Sequence, residues 1–323
     1  MSAARSADVP EIRRGRIYQD VYRKRVDTQL VTSTAALERA RIEGDCLIFE
    51  GDDQAWKRAL GDGLFLLAIP PELGVRGGDA FSAQFYQGAS APPYGRYREL
   101  TSEHFGDALL GFHQRTNQIE QFLLERRFWE RCYPPEIAEL GEELTHLSRQ
   151  VIRSVLCYAG IPEKDWEQAT GGCTEAAGSY HLTFNHYRPA HDADGLNSHK
   201  DDGFITLLRA TAPGLEVSRA DRWEAVVPEP GYFIINFGLS MEILTAHCAA
   251  PVTAIMHRVA RQTTDRSTFG HFSSSNCAPG SDEGIYRYLP GIGLDRVCGS
   301  RELIDENDSE IYEGTVNPEG RTP

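Results

Sequence analysis

Imidazole and carboxylate side chains brought to one point can hold a divalent transition metal. One stretch of this chain supplies two of them together. Asn197-Ser198-His199-Lys200-Asp201-Asp202-Gly203-Phe204 leads into the apolar, β-prone run Ile205-Thr206-Leu207-Leu208. In extended backbone, successive side chains alternate faces, so His199 and Asp201 are expected on one side with Lys200 turned away. An imidazole beside a carboxylate is two-thirds of a facial metal triad of the 2-His-1-carboxylate kind. The triplet alone is weak evidence. A chain with 10 His and 47 acidic residues produces such a spacing by chance, and a surface ion pair would look the same.

Three histidines downstream are candidates for the third ligand. His247 lies in the small-residue stretch Ala246-His247-Cys248-Ala249, and His271 sits in a strand at Gly270-His271-Phe272. His257 ends the β-prone run Val252 to Val259, 58 residues after His199, and best fits a ligand from a neighbouring strand. Nine residues further on is Arg266, in Asp265-Arg266-Ser267-Thr268. In a strand, Arg266 and Thr268 share a face, and a guanidinium fork beside a hydroxyl is a clamp for a carboxylate. Upstream, Asn185 and Tyr187 of Phe184-Asn185-His186-Tyr187 share a face and add an amide and a phenol. Lys200, Asp202 and His271 read as structural or solvated, and Trp223 as core.

The elements that must position these groups change character along the chain. Residues 1–30 mix Arg and Lys with Asp and Glu and are expected to form a partly ordered arm. Ala35 to Arg41 reads as helix, Cys46 to Phe49 as strand, and Asp52 to Leu60 as a helix ended by Gly61 and Gly63. Leu64 to Ile69, stopped by Pro70-Pro71, reads as a buried strand. Gly74 to Tyr97 reads as an irregular loop, and Gly111 to Trp129 as mixed polar and aromatic. After Pro134-Pro135, Ile137, Leu140, Leu144, Leu147, Val151 and Val155 recur at helical spacing, closed by Gly160 and Pro162. From Ser179 the texture is that of strands, expected at 180–187, 199–209, 214–218, 223–226, 231–237, 252–259 and 267–273. Short strands at this spacing suggest a sandwich or barrel. The acidic tail from Arg301 reads as a helix followed by a frayed end.

Composition narrows the class. The chain of 323 residues is 41% hydrophobic, enough for a sizeable core, and has a formal net charge of -14. That charge argues against nucleic acid or anionic lipid as a partner and favours a small molecule. No apolar run approaches the length of a membrane span, and Met1 to Arg14 lacks the apolar centre of a signal peptide. The seven Cys are scattered singly without a Cys-x-x-Cys pair, which argues for reduced thiols and a cytoplasmic location. Nothing in the sequence fixes the oligomeric state.

Together these motifs resemble the non-haem iron(II), 2-oxoglutarate-dependent oxygenases, in the branch that includes isopenicillin N synthase and the plant flavonoid oxygenases. Asn185-His186-Tyr187-Arg188-Pro189 is similar to that family's Asn-Tyr-Tyr-Pro-Pro. Gly214-Leu215-Glu216-Val217 with Trp223 resembles its Gly-Leu-Gln-Val…Trp segment. Pro230 to Gly238 and Met241-Glu242-Ile243-Leu244-Thr245 resemble the strand and turn before the distal histidine. His257-Arg258-Val259 matches its His-Arg-Val, and Arg266-Ser267-Thr268 stands for Arg-x-Ser with Thr268 keeping the hydroxyl. The match covers roughly 45–275 and is strongest from 180. Regions 75–130 and beyond 280, which shape the substrate pocket in that family, match nothing recognisable.

The resemblance implies a single oxygenase domain over 1–323, α+β with a mainly β core. Its 1–175 part is expected to be mainly helical with a few strands. Its 176–280 part is a double-stranded β-helix (jelly-roll, cupin-like) carrying the metal, and 281–323 is a tail or helix. His199, Asp201 and His257 would bind Fe(II), with Arg266, Thr268, Tyr187 and Asn185 contacting 2-oxoglutarate and O2 as the second cosubstrate. Small-molecule hydroxylation, desaturation or cyclisation would follow, with an amino acid or specialised metabolite as substrate. Asp201 stands where halogenases of the wider superfamily have a small residue, so halogenation is not expected. Two alternatives stay open: an isopenicillin N synthase-like oxidase that consumes no 2-oxoglutarate, and a cupin-like protein that binds without catalysis.

Overall fold

The computed structural model describes residues 30–220 and 222–312. The expected arm at 1–30 and the frayed end of the tail therefore lie almost wholly outside the described residues. The strands in chain order are β1 (Ser33–Thr34), β2 (Arg39–Glu43), β3 (Cys46–Phe49), β4 (Leu64–Ala68), β5 (Gly111–Gln114) and β6 (Ile119–Glu125). They continue with β7 (Ser179–Tyr187), β8 (Leu196–His199), β9 (Ile205–Ala210), β10 (Leu215–Arg219), β11 (Arg222–Ala225) and β12 (Tyr232–Phe237). Last come β13 (Met256–Val259), β14 (Arg266–Ser274), β15 (Ile285–Leu289) and β16 (Gly293–Cys298). The helices longer than one turn are α1 (Ala55–Asp62), α2 (Val75–Ser82), α3 (Pro135–Ala159), α4 (Leu239–Thr245) and α5 (Ser300–Tyr312).

Two sheets face each other. The larger has the order β3-β2-β4-β12-β9-β14-β7-β6-β5, and the smaller β1-β11-β10-β13-β8. Their pairing is the double-stranded β-helix, extended at both edges of the large sheet by strands from the N-terminal half. Between them an apolar layer forms from Leu64, Leu66, Ala210 and Ile234 of the large sheet with Leu215 and Val217 of the small one. The outer face of the large sheet is covered by α3. This helix begins with Pro135 and ends at Gly160, whose left-handed φ of 78° closes it. Ile137, Leu140, Leu144, Leu147, Val151 and Val155 are all buried. Gly141 is required there, because a Cβ would lie 2.6 Å from the Trp129 ring.

Several expectations need correcting. Ala35 to Arg41 is no helix: Arg39–Glu43 is a strand, antiparallel to β3 and parallel to β4. Ala40 is buried, Arg41 and Ile42 are half-buried and the two ends are exposed, a pattern that a five-residue window barely separates from a helical one. The stretch 74–97 contains helix α2, which buries Gly78 and Phe81. Residues 111–125 form a hairpin that extends the large sheet through β7. The 199–209 strand is two strands in different sheets, with 200–204 crossing between them. Beyond 281, the β15–β16 hairpin precedes α5.

Candidate metal centre

His199 and His257 meet because β8 and β13 are antiparallel partners and these residues stand opposite each other. Their ring centroids are 4.2 Å apart. Each ring donates its Nδ1 proton to a backbone carbonyl: His199 to Asn197 at 2.8 Å and His257 to Ile255 at 3.2 Å. That hydrogen bond fixes the tautomer and leaves the Nε2 lone pair for a metal. Both Nε2 atoms lie 3.6 Å from Asp201 Oδ1.

Asp201 reaches this point by a different route from the one strand alternation suggests. The strand ends at His199, and the following turn carries Asp201 between the sheets. The turn is pinned by the first turn of α4: Leu239 N donates to the Asp201 carbonyl at 2.8 Å and Ser240 N to that of Asp202 at 3.0 Å. The approach is so close that a Cβ on Gly238 would lie 2.3 Å from the Gly203 oxygen. The side chain is held as firmly. Thr206 Oγ1 and Asn236 Nδ2 each donate to Oδ2 at 2.5 Å, leaving Oδ1 turned to the imidazoles. Burial pushes this carboxyl up, but His257, His199 and the two donated hydrogen bonds outweigh it and hold it below the ordinary carboxylate value. Two imidazole nitrogens and one carboxylate oxygen, all within 4.8 Å of one another, make a donor set suited to a facial triad.

Arg266, Thr268, Tyr187 and Asn185 line the same cavity as the triad. Antiparallel register sets Arg266 beside Tyr187 and Thr268 beside Asn185. The Arg266 guanidinium lies 4.8 Å from the centre of the Tyr187 ring, and its Nε donates to the Pro213 carbonyl at 2.9 Å. Its Nη1 is buried without a hydrogen-bond partner among the described residues. A buried guanidinium nitrogen with nothing to donate to is costly, and a ligand carboxylate would satisfy it. Asn185 donates to Thr268 Oγ1 at 3.3 Å and accepts from Gln121 at 3.2 Å. Its nearest role is therefore to orient Thr268.

The residues set aside as structural are mostly so. Lys200 pairs with Glu242 at 3.0 Å. Trp223 is 4% exposed, beneath the Arg258 guanidinium. His271 is buried on the far face of β14, its Nε2 2.9 Å from Thr145 Oγ1. His247 is exposed. Asp202, by contrast, lines the cavity, and Asn307 of α5 donates to it at 3.4 Å. Sequence reasoning overlooked Thr206, Asn236 and Gln121. A signal existed for one: Asn236 is the sole amide in the otherwise apolar run Phe233 to Phe237.

Residues 179–275 match the family model of the 2OG-Fe(II) oxygenase superfamily. Over this segment the chain is similar to that superfamily. The matched segment runs from β7 through β14 and so contains every residue of the triad and of the Arg266 cluster. Jasmonate-induced oxygenase 2 of Arabidopsis thaliana is 35% identical over 137 residues, which are 39% of this chain and 35% of that protein. The chain thus spans about a third to a half of the curated relatives it matches. A solved complex of JOX2 with 2OG, Fe and JA shares the fold at a TM-score of 0.59 and 23% identity, covering 79% of this chain and 78% of that one. A full-length Neurospora crassa protein, solved in complex with alpha-KG and thymine, gives 0.58 and 17%, covering 80% and 93%.

Proposed function

We propose that this protein is an iron(II)- and 2-oxoglutarate-dependent dioxygenase of a small molecule, with 30–312 working as one oxygenase domain. The observation that carries the reading is a juxtaposition: a His-Asp-His donor set and a buried guanidinium with an unpartnered Nη1 line one cavity. The solved neighbours support it, since the JOX2 and Neurospora crassa complexes hold 2OG or alpha-KG, the former with Fe, and small molecules.

In this reading His199, Asp201 and His257 hold the metal. Iron(II) with 2-oxoglutarate and O2 supplies the oxidising chemistry, and the protein fixes its place and keeps water out. Arg266 binds the far carboxylate of 2-oxoglutarate through its fork, with the Thr268 hydroxyl and Tyr187 phenol beside it. Asn185 orients Thr268. Thr206 and Asn236 keep Asp201 ionised and aimed. Leu64, Leu208, Leu215 and Ile234 make the walls between the two groups apolar. The outcome is hydroxylation, desaturation or cyclisation, because a carboxylate at Asp201 leaves no place for a halide.

The test is anaerobic titration of the full chain with iron(II) and 2-oxoglutarate, followed by succinate measurement in air. A visible charge-transfer band and succinate release are expected. Iron binding and substrate oxidation without succinate would replace this reading with an oxidase that uses Arg266 to hold its substrate.

A further inference from the structure

The cavity has two polar ends with different hydrogen-bonding character. Strand register makes rows across the inner face of the large sheet. One row joins Tyr187 and Arg266, and the next joins Gln121, Asn185 and Thr268. At the far end, one row joins His181, Phe272, Thr206 and Asn236. Thr206 and Asn236 are the two donors to Asp201. His181 is therefore level with the metal-binding carboxylate and two strand spacings from Thr206, about 10 Å.

The groups at the Arg266 end bond to one another. His181, Thr183 and Ser274 line the cavity too, yet their side chains make no hydrogen bond to any described residue. His181 and Thr183 lie on the inner face of β7, and Ser274 on that of β14. Their free surface is the surface of the cavity. Burial lowers the pKa of His181, so the ring is neutral at pH 7 and offers one N–H and one lone pair. Leu109, Leu123, Phe272 and Ile304 make the neighbouring lining apolar, and the charged groups that act on His181, Glu125, Asp107, Arg301 and Arg127, are not lining residues. The other lining guanidinium, Arg115, faces Asp308 at 3.8 Å and donates to Gln121 at 3.2 Å.

We infer that His181, with Thr183 and Ser274, is the recognition edge for the substrate. The substrate it fits is an uncharged molecule with hydroxyl, carbonyl or amide groups along one side of an apolar frame. The inference rests on the oxygenase reading for what happens to that molecule, but not for its recognition. A neutral imidazole and two hydroxyls satisfy such groups in both directions, whereas a carboxylate placed here would meet guanidiniums already engaged, Arg127 by Asp107 and Glu125 and Arg301 by Asp107 and Asp305.

Anaerobic calorimetry on the iron(II)- and 2-oxoglutarate-loaded full chain tests this with thymine and catechin as neutral probes and 5-carboxyuracil as an anionic one. At least one neutral probe should bind, and 5-carboxyuracil should bind at least roughly tenfold more weakly than thymine. His181→Leu should weaken the neutral probe roughly tenfold, His181→Gln should recover part of that, and Thr183→Val should weaken it less. Circular dichroism melting identifies any variant that fails to fold, in which case Thr183→Val and His181→Gln carry the test. The inference is overturned if neither neutral probe binds, if they bind wild type and His181→Leu alike, or if 5-carboxyuracil binds tighter than thymine. Absence of the charge-transfer band in the wild type, with the His181 dependence intact, would sink the oxygenase reading and leave the recognition edge standing.

Discussion

The side-chain amide of Asn236 lies 2.5 Å from Oδ2 of Asp201, donated from the strand next to the one that carries Thr206. This amide does not touch the metal position, but it decides which oxygen of Asp201 faces the imidazoles. Asn236→Leu is expected to weaken iron(II) binding by roughly ten- to a hundredfold while the fold persists. Anaerobic iron titration checks this, and an unchanged affinity would mean that Thr206 alone orients the carboxylate.

Arg266→Lys keeps the charge and loses the fork. 2-Oxoglutarate affinity is expected to fall by at least about tenfold, with iron retained, because one ammonium cannot make two parallel hydrogen bonds to a carboxylate. Titration of 2-oxoglutarate into the iron-loaded variant gives the answer. Wild-type affinity would move the carboxylate site elsewhere in the cavity.

The neighbouring acids Asp201 and Asp202 are separable. Asp201→Ala is expected to abolish iron retention and substrate-coupled succinate formation, since it removes one of the three proposed ligands. Asp202→Ala is expected to leave most of both, because Asp202 accepts from Asn307 and is not one of the three groups whose donor atoms cluster within 4.8 Å. Equal loss in the two variants would show that the wrong carboxylate has been assigned.

His271 predicts a pH dependence of stability. Burial, with help from His181, holds its pKa down to about 3. In the unfolded chain it titrates near its ordinary value of about 6.5. Between these values the unfolded state binds more protons. Its contribution is therefore present above about pH 6.5 and is lost as pH falls toward 3, at up to about 1.4 kcal/mol per unit. Urea unfolding at pH 7 and pH 5 should show this slope, and His271→Gln should flatten it. A variant with the wild-type slope would assign the effect to other groups, such as His113, whose pKa is also held down, to about 4.

Much of this arrangement could be read from residue order. Leu64–Ala68, Tyr232–Phe237 and Arg266–Ser274 announce themselves by apolar runs or alternation, and α3 by its spacing and its Pro and Gly ends. His257 was legible because it lies at the end of a β-prone run, and Arg266 because it opens the next one nine residues on. What was not legible depends on pairing between distant strands. Arg39–Glu43 becomes a strand only because β3 and β4 flank it. The Gly77-Gly78 pair hides α2, since glycine is a poor helix former and is tolerated here for close packing against Phe269 and Leu140. Thr206 and Asn236 bear on Asp201 through a register that no local pattern encodes. Even the correct pairing of His199 with Asp201 was expected for the wrong reason, since a turn between sheets, not strand alternation, brings them together.

The two imidazoles ride on the small sheet, while the donors that aim Asp201 ride on the large one. The donor set therefore works as a caliper for the gap between the sheets. Trimming a side chain in the apolar layer that spaces them, Leu215 or Ile234 for instance, would change the spread of the three ligand atoms without touching any of them. Affinity for a divalent ion is then a sensitive gauge of core packing in this chain, and a loss of metal in a variant need not point to the metal site.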